Sequence, residues 1–273
     1  MKSGVNKLFE EFYSLTGTPF TRDIPVECLF NSNVVEEVIS RLEFVAARQQ
    51  FALIVGDCGT GKTTIIRKFQ AVLNPDKYKV LYVSDSQMTP RNFYKTILDQ
   101  LGVAAYYYRS DAKRQLHKEI ELLKSVHNIK PVVVTDESHL FKREMLEEIR
   151  FTLNYRYDSV SPMALILVGQ TELLDTLKRQ PYQAIRQRVD IKCEIPNYDR
   201  SQVSQYINCH MTYAGAISDI FSDGAVDSVY SYTAGSARMI NKVCTACLNY
   251  GAQSKKKIID DHMVKQIIEQ EMI

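Results

Sequence analysis

Residues Gly56-Asp57-Cys58-Gly59-Thr60-Gly61-Lys62-Thr63 fit the pattern G-x-x-x-x-G-K-[ST]. They follow the apolar run Phe51–Val55 and precede the helical-looking Thr64–Phe69. A strand, a glycine-rich turn and a helix start is the setting that a phosphate cradle requires. Glycines let backbone N–H groups turn inward around phosphates, and the helix start adds partial positive charge. Lys62 is expected to reach the β and γ phosphates and Thr63 to place its hydroxyl on Mg²⁺. The backbone from Gly56 to Gly61, with Thr64 at the helix start, completes the expected nucleotide site.

A second strand-like run, Val132–Thr135, ends in Asp136-Glu137. Functional residues of a parallel sheet gather at the carboxyl ends of its strands. Asp136 is therefore assigned to Mg²⁺ and Glu137 to orienting and polarising an attacking water. The adjacent acid pair, with no N-K-x-D guanine signature in the chain, favours ATP over GTP. Gln170 follows the run Ala164–Val168 and is placed to sense the γ phosphate or the water. Arg186 and Arg188 stand just before the run Ile191–Ile195, and their planar charged forks suit phosphate. Arg188 is the first choice for a finger supplied to a neighbouring subunit, Arg186 the second. Arg238, in Gly235-Ser236-Ala237-Arg238, opens a later helix and is expected to reach back to the nucleotide.

The elements that must position these residues follow from periodicity. Five apolar, β-branched runs (Phe51–Val55, Val80–Val83, Val132–Thr135, Ala164–Val168, Ile191–Ile195) alternate with helical stretches as far as the fourth. Strands apolar on both faces indicate a parallel sheet covered on both sides. Met145, Leu146, Ile149 and Leu153 form one helical stripe, with Glu147, Glu148 and Arg150 expected on the solvent face. After Pro196-Asn197-Tyr198 the strand signals stop. Helices are expected at about Ser201–Tyr213, Asp223–Tyr232, Ala234–Tyr250 and Asp260–Glu271, with Ser222-Asp223 and Ile259-Asp260 offering caps. The fold is thus α/β to residue 198, entry segment included, then an all-helical lid over 199–273.

Composition narrows the class. The 273 residues carry a net charge of +2, so any nucleic-acid surface must be local. The six cysteines lie in no metal-finger arrangement. Cys244 and Cys247 fall within a helical stretch and are expected as packed thiols. Reduced thiols and an N-terminus without an apolar core point to the cytoplasm. The run Met163–Val168 is far short of the roughly 20 residues that span a bilayer.

The order Walker A (G-D-C-G-T-G-K-T), Walker B (V-V-V-T-D-E), sensor 1 (L-V-G-Q), arginine-finger region (I-R-Q-R-V) and sensor 2 (G-S-A-R) resembles the AAA+ ATPases over nearly the whole chain. Within them, Phe12–Phe20 and Leu167–Leu173 are similar to the ExeA group, whose relatives include the transposition ATPases TnsC, TniB and IstB. Asp136-Glu137-Ser138-His139 departs from that group's usual D-E-A-H or D-E-A-Q and keeps both carboxylates. His139 is expected to pack or hydrogen-bond rather than to catalyse. Secretion ATPases of the ExeA type continue into a membrane segment and a cell-wall-binding domain. A chain ending at Ile273 is expected to be the short form resembling a transposase regulator.

That resemblance implies an ATP- and Mg²⁺-dependent homo-oligomer, a ring or filament, assembling on duplex DNA without a membrane and recruiting a transposase. It implies DNA tracking by the loop and helix after the second strand, here Gln87, Thr89, Arg91 and Lys95. Such residue types contact phosphates without reading sequence. Tyr106–Arg114 interleaves aromatics with cations, the bland alternative being solvated helix ends with tyrosines on a core edge. Two other functions compete: an adaptor for secretion or envelope assembly, and a replication loader or initiator.

Overall fold

The computed structural model describes residues 7–85, 88–153 and 161–272. Its contacts divide the chain into two units. One is an α/β unit of residues 34–57 and 62–195. The other is a helical unit of residues 1–33 and 196–273, which also takes residues 58–61 of the glycine-rich loop.

The chain enters through α1 (Lys7–Phe12), part of the helical unit, and continues into α2 (Asn33–Arg48). The α/β unit then alternates β1 (Phe51–Gly56), α3 (Lys62–Val72), β2 (Tyr78–Val83), α4 (Pro90–Gln100), α5 (Arg109–Ser125), β3 (Lys130–Thr135), α6 (Arg143–Leu153), β4 (Ala164–Gly169), α7 (Glu172–Lys178), α8 (Gln183–Arg186) and β5 (Ile191–Ile195). The strands form one five-stranded parallel sheet in the order β2-β3-β4-β1-β5.

Because strand side chains alternate, the apolar runs feed two cores at once. Phe51, Leu53, Val55, Val133, Leu165 and Leu167 pack against α4–α7. Ala52, Ile54, Val132, Val134, Ile166 and Val168 pack with Val38, Leu42 and Val45 of α2 and Ile66 and Phe69 of α3. Phe69 is fully buried, so Phe69→Ala would cost about 3–5 kcal/mol. With β1, β3 and β4 pinned on both faces, the ends of these central strands cannot shift independently.

The helical unit adds α9 (Arg200–Tyr213), α10 (Asp223–Thr233), α11 (Ala237–Gln253) and α12 (Asp261–Glu271). Asp199 starts α9 with a reciprocal capping box, while Ser222 and Asp260 accept from Ala225 N and Met263 N. Ala234, expected inside α11, instead closes α10 in the left-handed region at φ 46°. Gly235 and Ser236 then separate the two helices. The entry segment, expected with the α/β core, groups with the helical unit: Phe9 and Phe20 are buried beside Val203, Ile207 and Phe221. Its aromatic residues found their apolar partners there. No helix among the described residues is long and apolar enough to cross a membrane.

Candidate active site

The glycine-rich loop starts where β1 runs out, at the buried Gly56. Gly59 and Gly61 take φ of 87° and 90°, a region that side chains rarely allow. At Gly59 a Cβ would also meet Ser236 Oγ at 2.7 Å and Arg238 Cβ at 2.8 Å. The sequence has glycine where backbone from α11 must approach. Helix α3 begins at Lys62, so the amides of its first turn are open to an anion. Lys62 Nζ donates to Gly56 O at 2.8 Å and Asp57 O at 2.7 Å, which keeps its ammonium over the loop. Thr64 follows half-buried, and Thr60 is buried at the turn.

Asp136 is only 5% exposed, yet every contact on its carboxylate is a donor. Oδ2 accepts from Thr63 Oγ1 at 2.9 Å and from Tyr82 OH at 2.6 Å, and Oδ1 accepts from Glu137 N at 2.8 Å. A carboxylate and a threonine hydroxyl in contact are the hard oxygen ligands that Mg²⁺ prefers, so the residues present fit that ion. Thr63 and Asp136 would hold it, and when bound it would neutralise charge on the phosphates. Tyr82 lay outside the sequence reading. Burial, then its bond to Asp136, pushes its phenol well above the ordinary value, so it stays a donor. The available signal was a tyrosine near the carboxyl end of β2, alongside the strand that carries the acids.

Glu137 sits just past β3 in the left-handed region, φ 53°, with its side chain half exposed. Ser138 is buried and fixes the turn by donating to Thr135 O at 2.9 Å. The order β3-β4-β1 brings the end of β4 into the same cluster. Gln170 meets His139, and Thr171 Oγ1 donates to Asp57 Oδ1 at 3.2 Å. The α/β unit thus gathers Asp57, Lys62, Thr63, Asp136, Glu137 and Gln170 at the carboxyl ends of its strands. A loop with amides open to an anion, a hydroxyl–carboxylate pair that fits Mg²⁺ and an exposed carboxylate are the groups that nucleotide hydrolysis requires.

Comparisons with known proteins agree. Residues 46–177 match the family described as an AAA domain. General secretion pathway protein A of Aeromonas hydrophila is 24% identical over 246 residues, which is 88% of this chain and 44% of that protein. The chain therefore spans less than half the length of that curated relative. Among solved structures, Drosophila ORC bound to DNA superposes with a TM-score of 0.67 at 18% identity, covering 98% of this chain and 66% of that one. The Aeropyrum pernix ORC1 protein in complex with DNA gives a TM-score of 0.67 at 17% identity, covering 92% and 68%. The fold is that of the AAA+ P-loop proteins.

The chain is an ATPase with the AAA+ fold.

In this ATPase the arginines occupy distinct places. Arg238 is the second residue of α11. Within the helical unit its N–H donates to Gly59 O at 3.2 Å and its Nη1 to Cys58 Sγ at 3.0 Å. Arg186 ends α8, is exposed and donates to Lys178 O at 3.2 Å. Arg188 is half-buried in the turn before β5.

Of the residues assigned to DNA, Gln87 lies outside the described ones. Thr89 caps α4 by accepting from Asn92 N at 3.2 Å. Arg91 and Lys95 are exposed one turn apart on α4. Arg91 Nε donates to Tyr107 O at 2.8 Å, with its guanidinium 5.0 Å from the Tyr107 ring centre. Tyr106, Tyr107 and Tyr108 are 60%, 74% and 67% exposed, so they are no core edge. Glu148 corrects the expected stripe in the opposite sense. It is 6% exposed and accepts from Tyr94 OH and from Lys113 Nζ at 3.1 Å. Three charges at helical spacing had suggested a solvent face, but α4 and α5 supply donors that let one of them enter the core.

Proposed function

We propose that this ATPase is an ATP-switched assembly factor that gathers on duplex DNA as a homo-oligomer. The observation that carries the reading is the exposed face of α4, where Arg91 and Lys95 are exposed one turn apart and Arg91 packs on the exposed Tyr107. Two solved relatives of the same fold, described as bound to DNA or in complex with it, support the choice of partner. In one chain 34 lysines and arginines are nearly balanced by 32 acids, leaving a net charge of only +2. An assembly bridged by nucleotide repeats them along many phosphates. Thr63 and Asp136 bind Mg²⁺ with ATP, Lys62 and the loop hold the phosphates, Glu137 polarises water, and Gln170 and Arg238 sense the nucleotide. Arg188 or Arg186 reaches a neighbouring subunit's nucleotide. Regulation of a transposase in the cytoplasm is the narrower form of this reading, and it rests on the resemblance of the motifs alone.

A filter-binding titration at several salt concentrations tests it. ATP or a slowly hydrolysed analogue, but not ADP, should promote cooperative binding to duplex DNA, and affinity should fall steeply with salt. Replacing Arg91 and Lys95 together should reduce the salt slope by about one per cation per engaged subunit, leaving nucleotide affinity unchanged. Mixing Arg188→Ala with Glu137→Gln chains should restore some turnover, because one interface then pairs an intact arginine with an intact glutamate. No rescue at any ratio removes Arg188 from a shared site. An ATP form that ignores DNA at low salt replaces this reading with a second one. That second reading, an adaptor for secretion or envelope assembly, is favoured by the relation to general secretion pathway protein A.

A further inference from the structure

The end of β2 grips Asp136 twice. The Asp136 backbone nitrogen donates to Val83 O at 2.8 Å, and Oδ2 accepts from Tyr82 OH at 2.6 Å. Thr63 Oγ1 donates to the same oxygen at 2.9 Å, and Glu137 N donates to Oδ1 at 2.8 Å. The torsion that turns a carboxylate is soft, so its plane is set by whatever donates to it. Of these donors, Thr63 is itself assigned to Mg²⁺ and Glu137 N belongs to the next residue of the chain. Tyr82 is the side chain brought to Asp136 with no other assigned task.

Tyr82 is held on two sides. β2 is an outer strand with β3 as its neighbour, and Tyr82 pairs with Val134, two residues before Asp136. On an outer strand, the N–H and C=O groups that face away from the sheet have no strand to bond. At Tyr82 one side chain takes that place: Gln100 Oε1 accepts from Tyr82 N at 3.0 Å, and Gln100 Nε2 donates to Tyr82 O at 2.8 Å. Gln100 is the exposed last residue of α4. The ring of Tyr82 packs, partly buried, on the core that includes Val132 and Val134. With its backbone clamped and its ring packed, Tyr82 presents its hydroxyl to Oδ2 as a fixed donor.

We propose that Tyr82, clamped by Gln100, is a positioning residue for Asp136 as a ligand of Mg²⁺. The hydroxyl sets the plane of the carboxylate before the ion arrives, so that binding does not have to order it. Partners that orient a metal ligand in this way contribute to metal affinity without touching the metal. Without the hydroxyl, Oδ2 keeps Thr63 as its donor, and the carboxylate can turn with that side chain. The proposal rests on the reading of Asp136 and Thr63 as the residues that hold Mg²⁺.

Mn²⁺, whose unbound form is counted by its EPR signal, serves as the probe. Titrated into the full chain carrying an equivalent of ADP, it should bind Tyr82→Phe about 10-fold more weakly than the wild type. Phenylalanine keeps the ring in the core, and ADP affinity in EDTA should match the wild type, because no metal is then involved. Turnover should need about 10-fold more Mg²⁺ for half-saturation, and added Mg²⁺ should recover most of the lost rate. Gln100→Ala should shift Mn²⁺ affinity in the same direction by less, and should add nothing to Tyr82→Phe. Wild-type Mn²⁺ affinity in Tyr82→Phe, or an equal loss of ADP affinity with and without metal, overturns the proposal. No shift in Gln100→Ala, or shifts that add in the double variant, overturns the clamp. Asp136→Asn separates the two levels. If it binds Mn²⁺ like the wild type, the assignment of Asp136 fails. If it loses Mn²⁺ while Tyr82→Phe does not, only the positioning role fails.

Discussion

In the α/β unit two buried carboxylates, Asp136 and Glu148, are met by hydrogen-bond donors, whereas in the helical unit the buried His210, Cys244 and Cys247 are held neutral. Asp136 lies between Thr63 and Tyr82. Burial opposes ionisation of Glu148, but hydrogen bonds from Tyr94 and Lys113 and the charges of Lys113 and Arg109 outweigh it, holding the carboxyl below its ordinary range. His210 is as deeply buried, at 3% exposed, yet it stacks on Phe20 and accepts from Phe20 N at 3.1 Å. Burial alone lowers its pKa to about 4, so the ring is neutral. Cys247 is pushed up to about 12 by burial and then by the charge of Glu271, and Cys244 is also raised. An unmatched buried charge costs several kcal/mol, so a unit keeps charge inside only where it supplies partners. The α/β unit supplies them around its strand ends and α4–α6. The helical unit uses polar groups as packing.

The largest effect should separate binding from chemistry within the α/β unit. Lys62→Ala should abolish productive nucleotide binding. Glu137→Gln should keep ATP and lower turnover by about 10²–10⁴-fold, because it keeps shape but cannot polarise water. Isothermal titration and phosphate release on both variants would measure this. Wild-type turnover in Glu137→Gln would leave the strand-end charge without its assigned purpose.

The helical unit should show its neutrality as acid sensitivity. The folded pKa of His210 lies below the ordinary 6.5, at about 4. Between those values the unfolded chain binds a proton that the native state refuses. Stability is therefore full above about pH 6.5 and falls as pH drops, by about 3 kcal/mol at pH 4. Urea unfolding of wild type and His210→Gln across that range should show the difference, glutamine being able to accept from Phe20 N without titrating. Parallel pH curves would mean that His210 is charged in the folded state and the contrast between the units is wrong.

The smallest effect belongs to Glu148, whose folded pKa is lowered. Its contribution is present above the ordinary carboxyl value of 4.5 and is lost as pH falls through the folded value. Glu148→Gln should cost roughly 1–3 kcal/mol at pH 7, since Lys113 loses a charged partner. The gap to the wild type should close in acid, once both carry neutral side chains. A gap independent of pH would mean that the loss is one of packing and not of charge.

Much of the site was legible because its parts are runs of consecutive residues. Glycine spacing sets the turn at Gly59 and Gly61, and an apolar run ending in Asp136-Glu137 puts acids at a strand end whatever lies beside it. The two-faced apolar strands likewise announced a covered parallel sheet. Glu148 was misread because helical spacing says which face a residue is on, not whether that face meets a donor. The entry segment was misplaced for a similar reason: Phe9 and Phe20 declare that they will be buried, but not where.

What tertiary structure alone decided are pairings between residues distant in the chain. Tyr82 meets Asp136 across 54 residues, His139 meets Gln170 across 31, Cys58 meets Arg238 across 180 and Phe20 meets His210 across 190. Each depends on strand order and register, or on which helix crosses which. The packing of a whole core fixes those choices, so no local stretch of sequence carries them.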